Sequence, residues 1–303
     1  MTNIKKSIVI LAAGLGSRYN GLKQIDGILE NNAPILEYSI FDAIEAGFNK
    51  IVFIINTSIP QEYIDKISVI LKDRNIEYHW IIQHKSDFVE DKHILNQREK
   101  PWGTGHALMC VQHVIKENFL VINADDYYGR SSYFKASELI QNEIIKESQY
   151  GIIAYVLKNT LSPNGKVARG YIHHDTENKM ISVKEITSIE RIDNQIVYQE
   201  NNHAVPLEEN TLVSMNFWVF NPSIFKYLNQ GFKDFLNQNP QPKDEFFIPT
   251  FIDKLIQNGT IQVQVETSDE VWKGVTYAND KSELQTFLQE KIDQQLYPTL
   301  IWN

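Results

Sequence analysis

What this sequence lacks excludes several classes at once. It has one cysteine, Cys110, in 303 residues, so neither an intramolecular disulfide framework nor a cysteine-rich metal site can be built. Cys110 lies in a run read as a helix, Gly105 to Ile115, where a small buried apolar role suits it. No apolar stretch reaches the roughly twenty residues of a membrane-spanning helix. Met1-Thr-Asn-Ile-Lys-Lys and the short Ser7-Ile-Val-Ile-Leu-Ala-Ala have no signal-peptide layout, so a cytoplasmic protein that spans no membrane is expected. Basic charge is not in excess either. At a formal net charge of −9 the chain does not suit general nucleic-acid binding, which needs cations to neutralise phosphates. No internal repeat, low-complexity tract or Gly/Ser/Pro linker interrupts the chain, and no hexapeptide β-helix pattern follows.

What is present is a regular alternation. Ile8-Val-Ile-Leu, Ile51-Val-Phe-Ile-Ile, Tyr78-His-Trp-Ile-Ile and Phe119-Leu-Val-Ile read as buried strands. Between them lie helix-length stretches: one opened by Pro34, Pro60 to Lys72, and His106 to Lys116. Ser132 to Lys146 and Gly151-Ile-Ile-Ala-Tyr-Val continue the pattern. Continuous apolar strands separated by helices predict an α/β fold, a mainly parallel sheet with helices on both faces. After about residue 158 shorter strands with polar turns predict an α+β lobe that completes the same sheet. Its elements are Val167 to His173, Met180 to Ile186, Val213 to Phe220, helices at Ser223 to Asn237 and Asp244 to Gln257, and strands from Ile261 and Glu270. A last helix runs from about Lys281. We therefore expect one domain over 1–303, with a nucleotide-binding part at 1–158 and an acceptor-binding part at 159–303. Residues 84 to 100 are polar, patternless, and read as a loop.

The segment that carries most chemistry is Leu11-Ala-Ala-Gly-Leu-Gly-Ser-Arg18. Small residues end the first strand and two glycines follow, so several backbone N–H groups can approach a triphosphate unobstructed. Arg18 can meet phosphate oxygens in bidentate fashion, and Lys23 adds a point charge. A dinucleotide loop would need a third glycine where Tyr19 stands, and a Walker loop would need Gly-Lys-Ser/Thr. A glycine turn with a surface arginine is the plainer alternative. With Gly21-Leu-Lys-Gln24 the segment resembles the signature of the sugar-1-phosphate nucleotidyltransferase superfamily, which has a Rossmann-like mixed sheet. That resemblance implies Leu11, Ala12, Ala13, Gly14 and Gly16 around the triphosphate, with Arg18 and Lys23 catalytic. Lys-Gln here also resembles methylerythritol-phosphate cytidylyltransferases.

Further stations follow in the superfamily's order. Gly103-Thr-Gly-His-Ala-Leu108 reads as a helix start with Thr104 as cap. Its resemblance to the Gly-Thr-x-His-Ala segment of uridylyl- and thymidylyltransferases implies that Gly103 and Thr104 contact a pyrimidine base, read also by Gln83. In Val121-Ile-Asn-Ala-Asp-Asp-Tyr-Tyr-Gly129 two carboxylates follow an apolar strand, a turn or a Mg²⁺ station. The resemblance makes Asp125 the ligand and Asp126 a secondary one. Gly170, Glu185 and Asn216 match acceptor-binding positions, although relatives carry glycine where Phe217 or Trp218 stands. Near Val271 to Tyr277 many relatives place an acidic second metal ligand. Here Gly274 or Thr276 matches, so Thr276 would bind through its hydroxyl or a water, and Asp280 reads as a helix cap.

The reaction this implies joins a nucleoside triphosphate, UTP or dTTP, to a sugar 1-phosphate. Two other readings stand beside it. One is a cytidylyltransferase for phosphocholine or another small phosphorylated alcohol, with Trp102, Tyr127, Tyr128 and Trp218 as an aromatic cage. The other is a nucleotide-binding regulator without catalysis. Assembly into homo-oligomers is left open by the sequence.

Overall fold

The computed structural model describes residues 4–14, 27–29, 33–98, 100–200, 203–274 and 280–302. In the first half the described elements are β1 (Ser7–Ala12), α1 (Ile35–Glu45), β2 (Lys50–Ile55), α2 (Gln61–Asp73), β3 (Glu77–Ile82), α3 (Lys92–Gln97) and α4 (Thr104–Met109). They continue with β4 (Phe119–Asn123), β5 (Asp126–Tyr127), α5 (Arg130–Gln141) and β6 (Gln149–Val156). A 3₁₀ turn, Leu157–Thr160, leads into β7 (Val167–His174), β8 (Met180–Ile192), β9 (Gln195–Glu200), β10 (His203–Leu207) and β11 (Leu212–Phe220). Then come α6 (Ile224–Leu236), α7 (Ile248–Gln257), β12 (Gln262–Ser268), β13 (Lys273–Gly274) and α8 (Asp280–Asp293).

Strands β4, β1, β2 and β3 lie side by side and parallel. Each needs apolar residues on both faces, which is why β1 and β2 read as unbroken apolar runs. Ile8, Ile10 and Ala12 of β1 pack with α1, α2 and α5, whereas Val9 joins α4, α6 and α7 on the opposite face. The sheet is thus covered on both sides in a Rossmann-like arrangement. Helix α6 shows the matching amphipathic pattern, burying Ile224, Phe225, Leu228 and Phe232. No described helix is long and apolar enough to cross a membrane.

The second half joins the same sheet with antiparallel strands. β11 keeps β6 beside one edge and gives its other edge first to β7, through Val213 and Ser214, then to β4, from Trp218 onward. Between these contacts the register with β6 slips, leaving a bulge over Met215 to Phe217. Asn216 sits there with φ 61°, a left-handed conformation that asparagine tolerates better than most residues. The gap where β7 leaves and β4 begins is a partner switch within the sheet, the kind of place where α/β sheets bind ligands.

Several predicted boundaries change. The run after Gly105 is helical only to Met109, and the β-branched Val111, Val114 and Ile115 continue in turns. The stretch 84–100 holds α3, whose first N–H groups at His93 and Ile94 donate to the Asp91 carboxylate. β8 extends to Ile192 and pairs with β9, which pairs with β10. Asp193 and Asn194, both at positive φ, make the two-residue turn between β8 and β9. Cys110 is buried as expected, and burial pushes its thiol up to about 12.

A third cluster fastens the C-terminal segment to this sheet. Leu284 and Leu288 of α8, with Tyr297 and Ile301, pack on Tyr38 and Tyr127. At its centre the Tyr297 hydroxyl donates to Asp42 Oδ2 at 2.5 Å, and Arg130 Nε donates to Oδ1 at 2.9 Å. Burial pushes the Asp42 carboxyl up to about 6, against the pull of Tyr297 and Arg130. Asp42→Ala takes the acceptor from the buried Tyr297 hydroxyl and the half-buried Arg130 guanidinium and should cost about 1–3 kcal/mol in denaturant unfolding. Asp42→Asn isolates the titration. An acid whose folded pKa is raised binds more protons when folded, so that contribution is lost as pH rises through about 6. Wild type should therefore lose stability relative to Asp42→Asn between pH 4 and 7. A constant difference over that range would refute the assignment.

Candidate functional site

Four stations gather at the C-terminal ends of the parallel strands. The first is the exit of β1. Leu11 lies between Ile54 of β2 and Asn123 of β4, and its carbonyl accepts Ala124 N. Asn56 Nδ2 holds the Ala13 carbonyl at 3.1 Å. Leu11, Ala12, Ala13 and Gly14 therefore leave the sheet from a fixed point beside the acidic pair. Gly16, Arg18 and Lys23 lie outside the described residues, as does Thr276.

The second station joins the ends of β3 and α4. Gln83 directly follows β3, and its side-chain amide nitrogen is 2.8 Å from Nδ1 of His106 in α4. The same ring's Nε2 is 2.9 Å from the Asp87 carbonyl. His106 is fully buried and is pushed below the usual histidine range by desolvation. It thus connects Gln83 with the Gly103–Thr104 segment. Gly103 adopts φ 94°, and a Cβ there would lie 2.9 Å from the Phe246 carbonyl, so glycine is required by the backbone itself. Thr104 does not cap its own helix: its hydroxyl accepts Ile248 N, at the start of α7.

The third station is Asp125 and Asp126, just past β4. Asp126 Oδ2 receives Asn123 Nδ2 at 2.8 Å and lies 3.2 Å from the Tyr128 hydroxyl. In the small β5–β13 pair Asp126 stands opposite Gly274, where a Cβ would approach its Oδ1 at 2.9 Å and crowd Trp272. The Asp126 carboxylate and the Trp272 ring fill the space that a side chain at 274 would need. Among the described residues no group of three or more His, Cys, Asp or Glu residues is placed to hold a metal. Two adjacent carboxylates nevertheless suit Mg²⁺, which usually takes one or two from the protein and completes its shell with phosphates and water. Asp280, read as a helix cap, begins α8 and accepts Ser162 Oγ and Asn164 Nδ2.

The fourth station is the opposite wall of the same cleft, a cavity of about 260 Å³. Gly170 of β7 pairs with Glu185 of β8 and with Ser214 of β11, two residues before Asn216. Asp125, Asp126, Gly170, Glu185 and Asn216 all line this cavity. Phe217 and Trp218 do not narrow it, because the bulge turns both into the core, where neither is exposed. Gly170 also has a packing reason, since a Cβ would come within 3.1 Å of the Ser214 side chain. Trp102, Tyr127, Tyr128 and Trp218 are at most 1% exposed and so form no cage around a ligand.

Sequence reasoning missed two residues of this wall. Arg169 lines the cavity and is nearly buried, stacked 4.5 Å over the ring of Trp272. Desolvation lowers its pKa to about 10, which leaves it charged at neutral pH. It donates to Thr160 Oγ1, the Thr160 carbonyl and the Ala168 carbonyl. The Trp272 Nε1 is buried without a partner among the described residues. The place of Arg169 next to Gly170, already an expected acceptor contact, was the signal that could have found it. Asn216 offers a direct test of the acceptor wall. Asn216→Gly keeps the left-handed backbone and should raise the acceptor KM with little change in Tm. Asn216→Ala should add a loss of about 1–2 kcal/mol in unfolding. Unchanged acceptor KM in both would remove Asn216 from the site.

A two-sided α/β sheet with an acidic cleft at its partner switch is the layout of a nucleotide-handling enzyme. Comparison with known proteins gives the class its family. The chain belongs to the Nucleotidyl transferase family, whose model matches residues 7–291. It is 25% identical over 203 residues to the bifunctional protein GlmU of Methanococcus maripaludis strain C7 / ATCC BAA-1331, covering 66% of this chain and 38% of that one. With GlmU of the S2 / LL strain it is 24% identical over 255 residues, 84% of this chain and 47% of the other. The matched region thus spans less than half of these curated relatives. Among solved structures, the inositol-1-phosphate CTP transferase from T. maritima superposes with TM-score 0.61 at 13% identity, covering 95% of this chain and 96% of that one. A putative glucose-1-phosphate thymidylyltransferase from Bacillus anthracis, in complex with a sucrose, gives 0.62 at 12%, covering 94% and 96%. At such identities the likeness is one of fold.

Proposed function

We propose that this protein transfers a nucleotidyl group from UTP or dTTP to a sugar 1-phosphate, releasing pyrophosphate. The observation that carries this reading is the shared cleft: the acidic pair Asp125–Asp126 faces the same cavity as Gly170, Glu185 and Asn216. A phosphate oxygen of the acceptor attacks the α-phosphorus, the bond from that phosphorus to the β-bridging oxygen breaks, and pyrophosphate carries away the electron pair. The acceptor phosphate is already nucleophilic at neutral pH, so no general base is required. Alignment and charge neutralisation supply the rate. The loop from Leu11 to Gly16 cradles the triphosphate, Gln83, Gly103 and Thr104 take the base, and Gly170, Glu185 and Asn216 hold the sugar. Asp125, supported by Asp126, would hold Mg²⁺, which supplies Lewis-acid neutralisation of phosphate charge. Residues 1–158 act as the nucleotide part and 159–303 as the acceptor part of one domain, working in the cytoplasm.

The test is an array of UTP, dTTP, CTP, ATP and GTP against sugar 1-phosphates and phosphocholine, read by pyrophosphate release. Saturable release with UTP or dTTP and a sugar 1-phosphate supports the proposal. Release only with CTP and phosphocholine would replace it with the cytidylyltransferase reading. Tight triphosphate binding without turnover on any acceptor would favour the regulator.

A further inference from the structure

We infer that Arg169 receives the phosphate of the acceptor: its guanidinium, fixed in the cleft wall by Thr160 and the ring of Trp272, keeps two N–H groups for a phosphate monoester. The inference rests on the proposal that Gly170, Glu185 and Asn216 hold the acceptor. Its own support is the charge balance of the cleft and the count of the guanidinium's donors.

Three carboxylates line the cavity, those of Asp125, Asp126 and Glu185. Among the described residues Arg169 is the single cation that lines it with them. A phosphate monoester brings roughly 1.5 to 2 negative charges at pH 7 and is repelled by all three. The proposed sugar contacts offer it no positive charge. Arg169 is 7% exposed, and a buried charge without a counter-ion is costly. A lysine there could shed its proton, whereas an arginine stays charged. Yet the hydrogen-bond partners of Arg169 are all neutral, and Asp126 attracts it without a hydrogen bond between them.

A guanidinium has five N–H groups. Nε and Nη2 both donate to Thr160, through its hydroxyl and its carbonyl, and Nη1 donates to the Ala168 carbonyl. One N–H is left on each terminal nitrogen, the pair that meets an oxyanion in bidentate fashion. Thr160 is fully buried, and Trp272 covers a face of the group at 4.5 Å, so little freedom is lost when an anion binds. The position selects the acceptor and not the triphosphate. Arg169 directly precedes Gly170, which pairs with Glu185 and Ser214, whereas the loop after β1 starts two strands further on, beyond β11 and β4.

The probes are glucose 1-phosphate and phosphocholine, which share the phosphate monoester and differ in the rest. Their binding to wild type, Arg169→Gln and Arg169→Lys is measured at equilibrium with Mg²⁺, beside KM values for acceptor and triphosphate. Wild type should bind at least one probe, and the better-bound one shows which kind of acceptor the wall takes. Arg169→Gln should weaken that binding, and raise the acceptor KM, by about 10- to 100-fold. The triphosphate KM should stay near that of wild type. Arg169→Lys, the variant to use should glutamine not fold, keeps the charge but not the fork and should recover only part of the loss. A purely structural arginine would lower Tm and move both KM values together or neither, and either result would overturn the inference. So would wild-type affinity retained in Arg169→Lys, or no binding of either probe to wild type. If no triphosphate turns over with any acceptor, nucleotidyl transfer fails as a reading, and the equilibrium binding still decides the role of Arg169.

Discussion

Asp125→Ala should lower pyrophosphate release by roughly a thousandfold while leaving the unfolding midpoint near that of the wild type. The expectation rests on where the side chain stands. Asp125 is half-buried on the cleft wall, just beyond the strand end whose Asn123 pairs with Leu11. Alanine there removes a charge from the cleft without disturbing the two apolar layers of the sheet. Asp126→Ala should behave differently. Its buried carboxylate receives the half-buried Asn123 amide, so its loss leaves that donor without its acceptor, while the Tyr128 hydroxyl keeps the Met215 carbonyl. A drop in stability of about 1–3 kcal/mol should accompany its kinetic defect. The Mg²⁺ dependence separates the two further. Higher Mg²⁺ should recover part of the Asp125→Ala activity if phosphates and water complete the shell. Equal loss of stability in both variants, or full activity in Asp125→Ala, would refute this division of labour.

How much of this was legible beforehand depends on how local each feature is. The parallel strands could be read because both faces of each must be apolar, as in Lys50–Ile55, which is buried throughout. β9 and β10 could not, since they are largely exposed and carry no alternating pattern; only the Asp193-Asn194 pair marked the hairpin. Asp125, Gly170, Glu185 and Asn216 were each singled out one at a time, and their meeting in one cleft is a property of strand order. The bulge that presents Asn216 leaves no trace in composition, because Leu212–Phe220 reads as one apolar strand. The aromatic cage failed for the converse reason. Trp102 and Trp218 have the composition of a binding surface, but each packs against other aromatic rings in the core. His106 was within a motif already singled out, yet its bond to Gln83 links residues 23 apart and exists only once β3 and α4 are adjacent.

Lys23→Ala should reduce kcat by about three orders of magnitude and leave Tm unchanged. Transfer at the α-phosphorus shifts negative charge onto the departing pyrophosphate, and a positioned cation offsets that charge only as it develops. In the proposed reading the glycine-rich loop supplies N–H groups but no full charge, and Arg18 and Lys23 are the cationic residues assigned to it. Where the loop begins is fixed: the Leu11 carbonyl is bound to Ala124 N, and the Ala13 carbonyl to Asn56. The segment carrying Lys23 therefore starts one strand away from Asp125. Lys23→Arg should recover part of the loss, because charge is kept while the compact ammonium geometry is not. Binding of the triphosphate, measured at equilibrium, should weaken far less than kcat falls. The double variant Lys23→Ala/Asp125→Ala then asks whether the two groups act on one transition state. If they do, the combined loss should fall well short of the product of the single losses, as for groups that work as a unit. Strict multiplication would mean that the lysine and the carboxylate serve separate steps. Near-normal pyrophosphate release from Lys23→Ala alone would remove the lysine from the chemistry.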